Sequence, residues 1–307
     1  MTAAAAASPA RPRRRWIWAS VAIVTAVVLV VPVAFRIGLK GEIRHEVVPV
    51  TVFQRSVDEV EVDAPGQSVT IVRGRPGQVR VVSSMSWLLG RPTFRHAWYG
   101  RTLQVTAGCA TFNVFEDCQA SLLIRVPANV TVRVAVGSGS AAVAGLTGPV
   151  HLTATSGSIR LTDVSGPVWA MATTGSIVAT NGLTSRQVDA GVGSGSLALG
   201  FAATPAAVAL DVGSGSGRVT VPPGARYRIS GERASGVLQI GSGLIDSRAA
   251  RVITATVGSG HLAIDYLRPV SPGAARVTGA PRVASAAGKL TTDTVRTAQS
   301  TSASCTV

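Results

Sequence analysis

The chain has 307 residues, 46% of them apolar, and a formal net charge of +14. Its length allows one large or two modest domains, and its apolar share is enough for a core. Aromatics make up only 5% while glycines number 33, a composition that suits thin β layers and argues against a thick globular interior.

In chain order, residues 1–15 form a short basic tail containing Arg11, Arg13, Arg14 and Arg15. The next stretch, Trp16 to Phe35 (WIWASVAIVTAVVLVVPVAF), carries no charge and as a helix would be roughly 30 Å long, the thickness of bilayer hydrocarbon. A removable secretion leader, of ordinary or twin-arginine type, is the competing reading. Against it, the apolar run exceeds the roughly 7 to 15 residues of a signal core, and no small-x-small cleavage site follows. A retained single-pass transmembrane helix over 16–35 is therefore expected, with the lipid bilayer as its partner. Charge bias across the helix is mild, because Arg36, Lys40 and Arg44 follow it. Long downstream domains translocate largely regardless of charge, so the C-terminal part is expected outside the cytoplasm.

Residues 36–49 read as a juxtamembrane connector. From 50 to 136 apolar residues alternate in short runs, among them Val50 and Val52, Val60 and Val62, Val69 and Ile71, Val79 and Val81, and Leu122 to Val126. Turn chemistry at Pro65-Gly66, Pro76-Gly77 and Pro127-Ala128-Asn129 separates them. This pattern predicts about seven antiparallel strands serving as an N-terminal cap. Cys109 and Cys118 could face each other across a hairpin and bridge in an oxidising compartment, leaving Cys305 over.

From 137 to 268 a repeat takes over. Its punctuation is Gly-Ser, with central glycines at Gly139, Gly157, Gly175, Gly195, Gly215, Gly236 and Gly260, spaced 18 to 24 residues apart. A period near twenty with period-two flanks and no helical pattern predicts stacked β-coils, each burying its apolar edge against its neighbours. In the template GPVHLTATSGSIRLTDVSG, Val150, Leu152 and Ala154 point inward, a Ser156-Gly157-Ser158 corner follows, and Ile159 and Leu161 resume the inward face. Glycine at the corner would permit positive φ or let adjacent coils approach where a Cβ would collide. A flexible Gly-Ser linker would not carry alternating apolar flanks on both sides. Residues 269–307 are rich in Ala, Ser, Thr, Pro and Gly, lack the pattern, and are expected to be disordered.

The fold class expected is thus all-β: one N-terminal transmembrane helix, a strand-rich cap and a β-solenoid. The cap strand ending in Ile124 to Asn129, followed by SGSIRL, TGSIVA, GSGSLAL, GSGSGRVTVPPGARYRI, SGVLQIG and GSGHLAI, resembles the putative-adhesin family of bacterial β-strand-repeat domains. The step Pro222-Pro223-Gly224-Ala225-Arg226-Tyr227 is a characteristic element of that resemblance, which covers about residues 50 to 267. It implies a β-solenoid-like fold at the bacterial cell envelope, and brings neither catalytic residues nor a ligand.

Chemistry-bearing motifs point the same way. The sequence has no G-x-G-x-x-G, no Walker lysine, no aspartate after the repeat glycines for calcium, no G-x-S-x-G elbow and no C-x-x-C. Hydrolysis of a glycan would want paired carboxylates. Asp163, Asp189, Asp211, Glu232, Asp246 and Asp265 are isolated, although Asp189 and Asp211 fall at related outward positions of neighbouring coils. No enzyme, cofactor or metal is therefore expected. Aromatic and basic residues concentrate at Trp87, Arg91, Phe94, Arg95, His96, Trp98 and Tyr99, a mix that stacks on sugars or sits at a lipid interface, or else plugs the end of the solenoid. Exposed threonines such as Thr153, Thr155, Thr254 and Thr256 fit ordinary outward strand positions. The basic excess favours an anionic cell-wall polymer as partner, or a membrane protein, over nucleic acid. The chain reads as an envelope-anchored, non-catalytic binding or structural module. Its alternatives are an accessory of an envelope-stress sensor and, with less support, an enzyme acting on polysaccharide.

Overall fold

A computed structural model describes residues 21, 23–30, 44–87, 92–108 and 118–267, nearly all of the last three segments in strands and tight turns. Seven strands precede the repeat: β1 (Arg44–Phe53), β2 (Glu59–Ala64), β3 (Ser68–Arg73), β4 (Val79–Trp87), β5 (Thr93–Tyr99), β6 (Thr102–Gly108) and β7 (Cys118–Val126). The repeat supplies β8 (Thr131–Val136), β9 (Ser140–Ala144), β10 (Val150–Ala154), β11 (Ser158–Thr162), β12 (Val168–Ala172), β13 (Ser176–Leu183), β14 (Gln187–Val192), β15 (Ser196–Phe201), β16 (Ala207–Val212) and β17 (Ser216–Val221). Four more close it: β18 (Arg228–Arg233), β19 (Val237–Ile240), β20 (Val252–Val257) and β21 (His261–Tyr266).

Successive strands of the repeat alternate between two sheets. Sheet 1 has the order β1-β4-β7-β3-β9-β11-β13-β15-β17-β21-β19, and sheet 2 the order β18-β20-β16-β14-β12-β10-β8-β2-β6-β5. Each turn of the winding therefore lays one strand in each sheet, parallel to its predecessor and in matched register, as in Val132↔Val150↔Val168↔Val188↔Val208↔Ile253. The facing column in sheet 1 runs Ala141↔Ile159↔Ile177↔Leu197. Every inward residue expected of the repeat template, from Val150 to Leu161, is buried between the sheets. A register slip of one residue would turn all of these to solvent, so the apolar columns hold the register.

Corner glycines form a column of their own. An ideal Cβ on Gly157 would fall 1.9 Å from the carbonyl oxygen of Gly139, one on Gly175 1.7 Å from that of Gly157, and one on Gly195 1.5 Å from that of Gly175. Those same oxygens accept the amide N–H groups of Ser158, Ser176 and Ser196. Backbone thus rests on backbone, with room for hydrogen alone. Of the two reasons expected for glycine here, close approach is the one that operates. Among the described residues positive φ occurs instead at six other glycines, such as Gly224 in its turn, and at none of the seven corner positions.

The two ends depart from the expected organisation. The stretch before the repeat is not a set of purely antiparallel strands: β2 pairs parallel with β6 and β8, and β3 parallel with β7 and β9. The pair β2/β3 is thus a full turn of the winding, seated between β6/β7 and β8/β9. Among the described residues antiparallel pairing is confined to β1–β4, β4–β7 and β5–β6. Val50 and Val52, from the first of the alternating apolar runs, lie at 40% and 42% exposure on β1, the edge strand of sheet 1 among the described residues. At the other end the chain goes from β16/β17 to an outermost turn, β18/β19, and returns to insert β20/β21 between them.

No helix among the described residues is long and apolar enough to cross a membrane. Within the expected span 16–35, Val21 and residues 23–30 are helical, and the rest of the span lies outside the described residues. So do Cys109, Cys305, residues 269–307 and the side chain of Cys118, and with them the expected bridge and tail.

The turn at Pro222-Pro223-Gly224 delivers Tyr227 into the core, fully buried, with a hydroxyl that has no hydrogen-bond partner among the described residues. Its neighbour Tyr266 instead shares its one hydroxyl proton between the carbonyl oxygens of Ala225 and Gly243, each at 2.9 Å, tying the returning chain together.

Two measurements check this packing. Gly175→Ala should lower stability by about 1–3 kcal/mol in denaturant unfolding, since backbone must move to admit the methyl group. Gly66→Ala, where nothing lies within 4 Å, should change it by less than about 0.5 kcal/mol. Burial pushes the Tyr227 hydroxyl up to about 12, with the Arg251 charge opposing and Tyr266 adding to the rise. Between pH of about 10 and 12 an unfolded tyrosine has lost its proton while Tyr227 in the fold keeps it, so stability falls as pH rises through that window. Tyr227→Phe should remove this loss and, by deleting an unpaired buried group, gain about 1 kcal/mol at neutral pH.

Candidate functional site

Matched register lines up residues of one kind in rows on the outside of each sheet. On sheet 1 a serine row crosses eight strands. Ser84 faces Ser121, Ser121 faces Ser68, Ser140 donates to Ser68 at 3.0 Å, and Ser140, Ser158, Ser176, Ser196 and Ser216 follow in register. A second hydroxyl line runs along the corners, where Thr174 donates to Ser156 at 3.1 Å and Ser214 to Ser194 at 3.2 Å. Between the two lines lies an open groove of about 980 Å³ walled by hydroxyls and floored by Gly139, Gly157, Gly175 and Gly195.

Charge separates by face. Outward positions of sheet 1 carry Arg80 and Arg125, directly opposite each other, together with Arg160 and Arg218. The acid among the described outward side chains of that sheet is Asp265. Sheet 2 is the reverse: Glu59, Glu61, Asp63, Asp189 and Asp211 point out from its central strands, against Arg133, which pairs with Glu59. Five acids against one arginine make the middle of that face acidic in a strongly basic chain.

The acidic face also holds a residue that no sequence motif announces. Trp169 is only partly buried at an outward position of β12, its ring 6.2 Å from that of His151 on β10 and tilted by 39°. Parity identifies it: in VWAMA the buried residues are Val168, Ala170 and Ala172, which leaves Trp169 and Met171 facing out. The Trp169–His151 ridge separates two depressions. One, of about 360 Å³, is bounded by Gln187, Asp189, Ala207, Ala209 and Thr254. The other, of about 670 Å³, is bounded by Glu61, Asp63, Gln104, Arg133 and Thr153. Asp189 sits in register beside Trp169. Desolvation by burial, and secondarily the charge of Asp211, raise its carboxyl above the usual carboxylate range. Asp189 and Asp211 are therefore near enough to interact, but Asp211 pairs in register with Gly191, one diagonal step away.

The aromatic cluster expected from the sequence divides. Trp87 lies on β4 in sheet 1, 8% exposed, packed with Met85, Ala120 and Phe94. Phe94, His96 and Trp98 share the inner side of β5, the last strand of sheet 2; Phe94 and Trp98 pack on the core. Phe53 meets His96 and Trp98 edge-on at 5.1 and 5.5 Å, and Arg55 lies 5.0 Å above Trp98. Phe53, Phe94 and Trp98 thus lie against the end of the core, while His96 stays exposed. Arg95 and Tyr99 point out on the opposite side of β5, Tyr99 at 66% exposure. Arg91 lies outside the described residues. Among the described residues no three of His, Cys, Asp or Glu come together as a metal site would require.

Ionised Asp189 destabilises the fold, because its carboxyl binds a proton more tightly in the folded chain than in the unfolded one. That penalty fades as pH falls through the raised value toward the unfolded value of about 3.8. Asp189→Asn should accordingly melt roughly 1–2 °C above wild type at pH 7. Thermal scans at lower pH should show the two converging near pH 4.

Neither a protein-family model nor a curated protein matches the sequence. Solved structures that resemble it include a "putative cell adhesion protein" from Clostridium sporogenes (9% identity, 74% of this chain and 100% of that one, TM-score 0.38). A "putative lipid binding protein" from Parabacteroides distasonis matches at 12% identity over 75% of this chain and 98% of that one, with a TM-score of 0.40. A "putative adhesin" from Parabacteroides merdae matches at 10% identity over 75% and 98%, also with a TM-score of 0.40. These neighbours are strand-rich bacterial proteins. Likeness at that level assigns no activity.

Proposed function

We propose that this chain is a β-solenoid module of the bacterial cell envelope, held at the membrane by Trp16–Phe35, that works by binding rather than by catalysis. Its partner is an anionic wall polymer, met by the outer face of sheet 1. The observation that supports this reading is the joint presence there of Arg80, Arg125, Arg160 and Arg218 and the unbroken serine row. Opposed like charges such as Arg80 and Arg125 weaken a sheet slightly when nothing neutralises them. A repeating polyanion would neutralise them, while hydroxyls at the strand spacing of about 4.8 Å supply donors along its length.

The fold suits such a surface. Backbone contacts along the glycine column fix the spacing between turns, so groups are presented at set positions before any ligand arrives, which lowers the entropy cost of binding. Exposed arginine–anion pairs each contribute about 0.2–1 kcal/mol and are screened by salt. Retention on an immobilised polyanionic wall fraction should therefore fall as salt rises. The full chain carrying Arg80→Ser, Arg125→Ser, Arg160→Ser and Arg218→Ser together should bind about tenfold more weakly, which corresponds to about 1.4 kcal/mol. Equal retention of wild type and variant would end this reading.

A further inference from the structure

We propose that the outer face of sheet 2 is a second binding site, centred on Trp169, for a glycan bearing free amino groups. This inference rests on the binding reading above, and uses the opposite face of the molecule.

The starting point is Trp169 itself. Tertiary structure does not require it: its ring faces out, and the residues that pack the core of its strand are Val168, Ala170 and Ala172. A large aromatic left partly exposed at the centre of a sheet face offers a flat apolar platform, and the ring of His151 in the adjacent strand widens it. Flat platforms with polar groups at their rim suit pyranose rings, which present C–H groups on their faces and hydroxyls on their edges.

The surroundings select the kind of sugar. Asp189 borders the platform on one side, and Glu61 and Asp63 lie across the depression on the other. The arginine among the described residues lining the two depressions, Arg133, is engaged by Glu59. A negatively charged glycan would be repelled, while a protonated amine would find a carboxylate beside a tryptophan face, two attractions that act on one group. Gln187 and Thr254 add neutral hydrogen-bonding groups next to Asp189, and Gln104 and Thr153 do so on the far side. Small Ala207 and Ala209 keep the first depression open. Polar rims on both flanks of one ridge fit an extended chain lying across the strands, with one ring on Trp169 and its neighbours in the two depressions. Asp189 fits this role for a further reason: it is a carboxylate kept where desolvation works against it.

The test is calorimetric titration of the full chain with a glucosamine hexamer, its N-acetylated counterpart and tetralysine. Binding of the glucosamine hexamer is expected, with a loss of tenfold or more in Trp169→Ala, partial recovery in Trp169→Tyr and a severalfold loss in Asp189→Asn. Thermal melting should confirm that Trp169→Ala stays folded, as its outward position implies. Absence of glucosamine binding, undiminished binding in Trp169→Ala, or equal affinity for the N-acetylated hexamer would each overturn the proposal. Tetralysine binding as tightly through the same residues would overturn it in favour of a basic polypeptide. The arginine-face variant separates the two readings: it should lose the polyanion and keep the glucosamine hexamer. Polyanion retention by a chain that ignores glucosamine would sink this site alone.

Discussion

The structure depends on one contact repeated along its length, a glycine α-carbon set against the carbonyl oxygen of the glycine in the adjoining turn. Six such steps run from Gly139 to Gly236 by way of Gly260. That oxygen also accepts the amide of the residue that follows the opposing glycine, so the steric limit and the hydrogen bond fix the same spacing. A side chain at any of these points would force two turns apart and break the bond at once. The constraint is local in space yet defines a long-range order, because each turn inherits its height from the one beside it.

Fixed height and matched register then decide what the surface can be. Inward alternates merge into apolar columns, and outward alternates become rows whose chemistry is set by which residue type recurs. Sheet 1 shows serine and arginine, sheet 2 carboxylates around a tryptophan. A basic net charge therefore describes one face and not the other. The total is positive because arginines dominate the N-terminal tail, the outer face of sheet 1 and the turns, while the middle of the other broad face has the opposite sign.

Much of this is legible in the chain alone. The glycine period, the corners and the inward positions of the template from Val150 to Leu161 follow from spacing and alternation, which are local signals. The end arrangements do not. Nothing in the sequence near Glu59 shows that β2 pairs with β8, more than sixty residues on, because strand partners are chosen by geometry across the whole sheet. The short turns around β2 and β3 read as hairpins, and the parallel pairing of those strands leaves no local trace. Trp169 and the sorting of charge are accessible in principle, since parity assigns each residue to a face. A lone tryptophan nevertheless gives a weaker signal than the dense aromatic run from Trp87 to Tyr99, in which Phe94 and Trp98 lie against the end of the core. The reason for the corner glycines is half legible: composition marks the position, but only coordinates distinguish a crowded backbone from a left-handed one.

The placement of the last two turns has a bearing on how the protein resists fraying. In an array laid down strictly in sequence, the terminal coil can peel away by itself, one coil at a time. Here the coil at the rim, β18/β19, is covalently interior, and the chain leaves from β20/β21, which is clamped on both sides. Pulling on the exit strand meets two interfaces at once, and shedding the rim leaves a loop still tethered at both its ends. The N-terminal side repeats the device, with β2/β3 held between β6/β7 and β8/β9. Freeing the exit strands therefore takes the joint release of two coils, which turns that end from a loose thread into a latch.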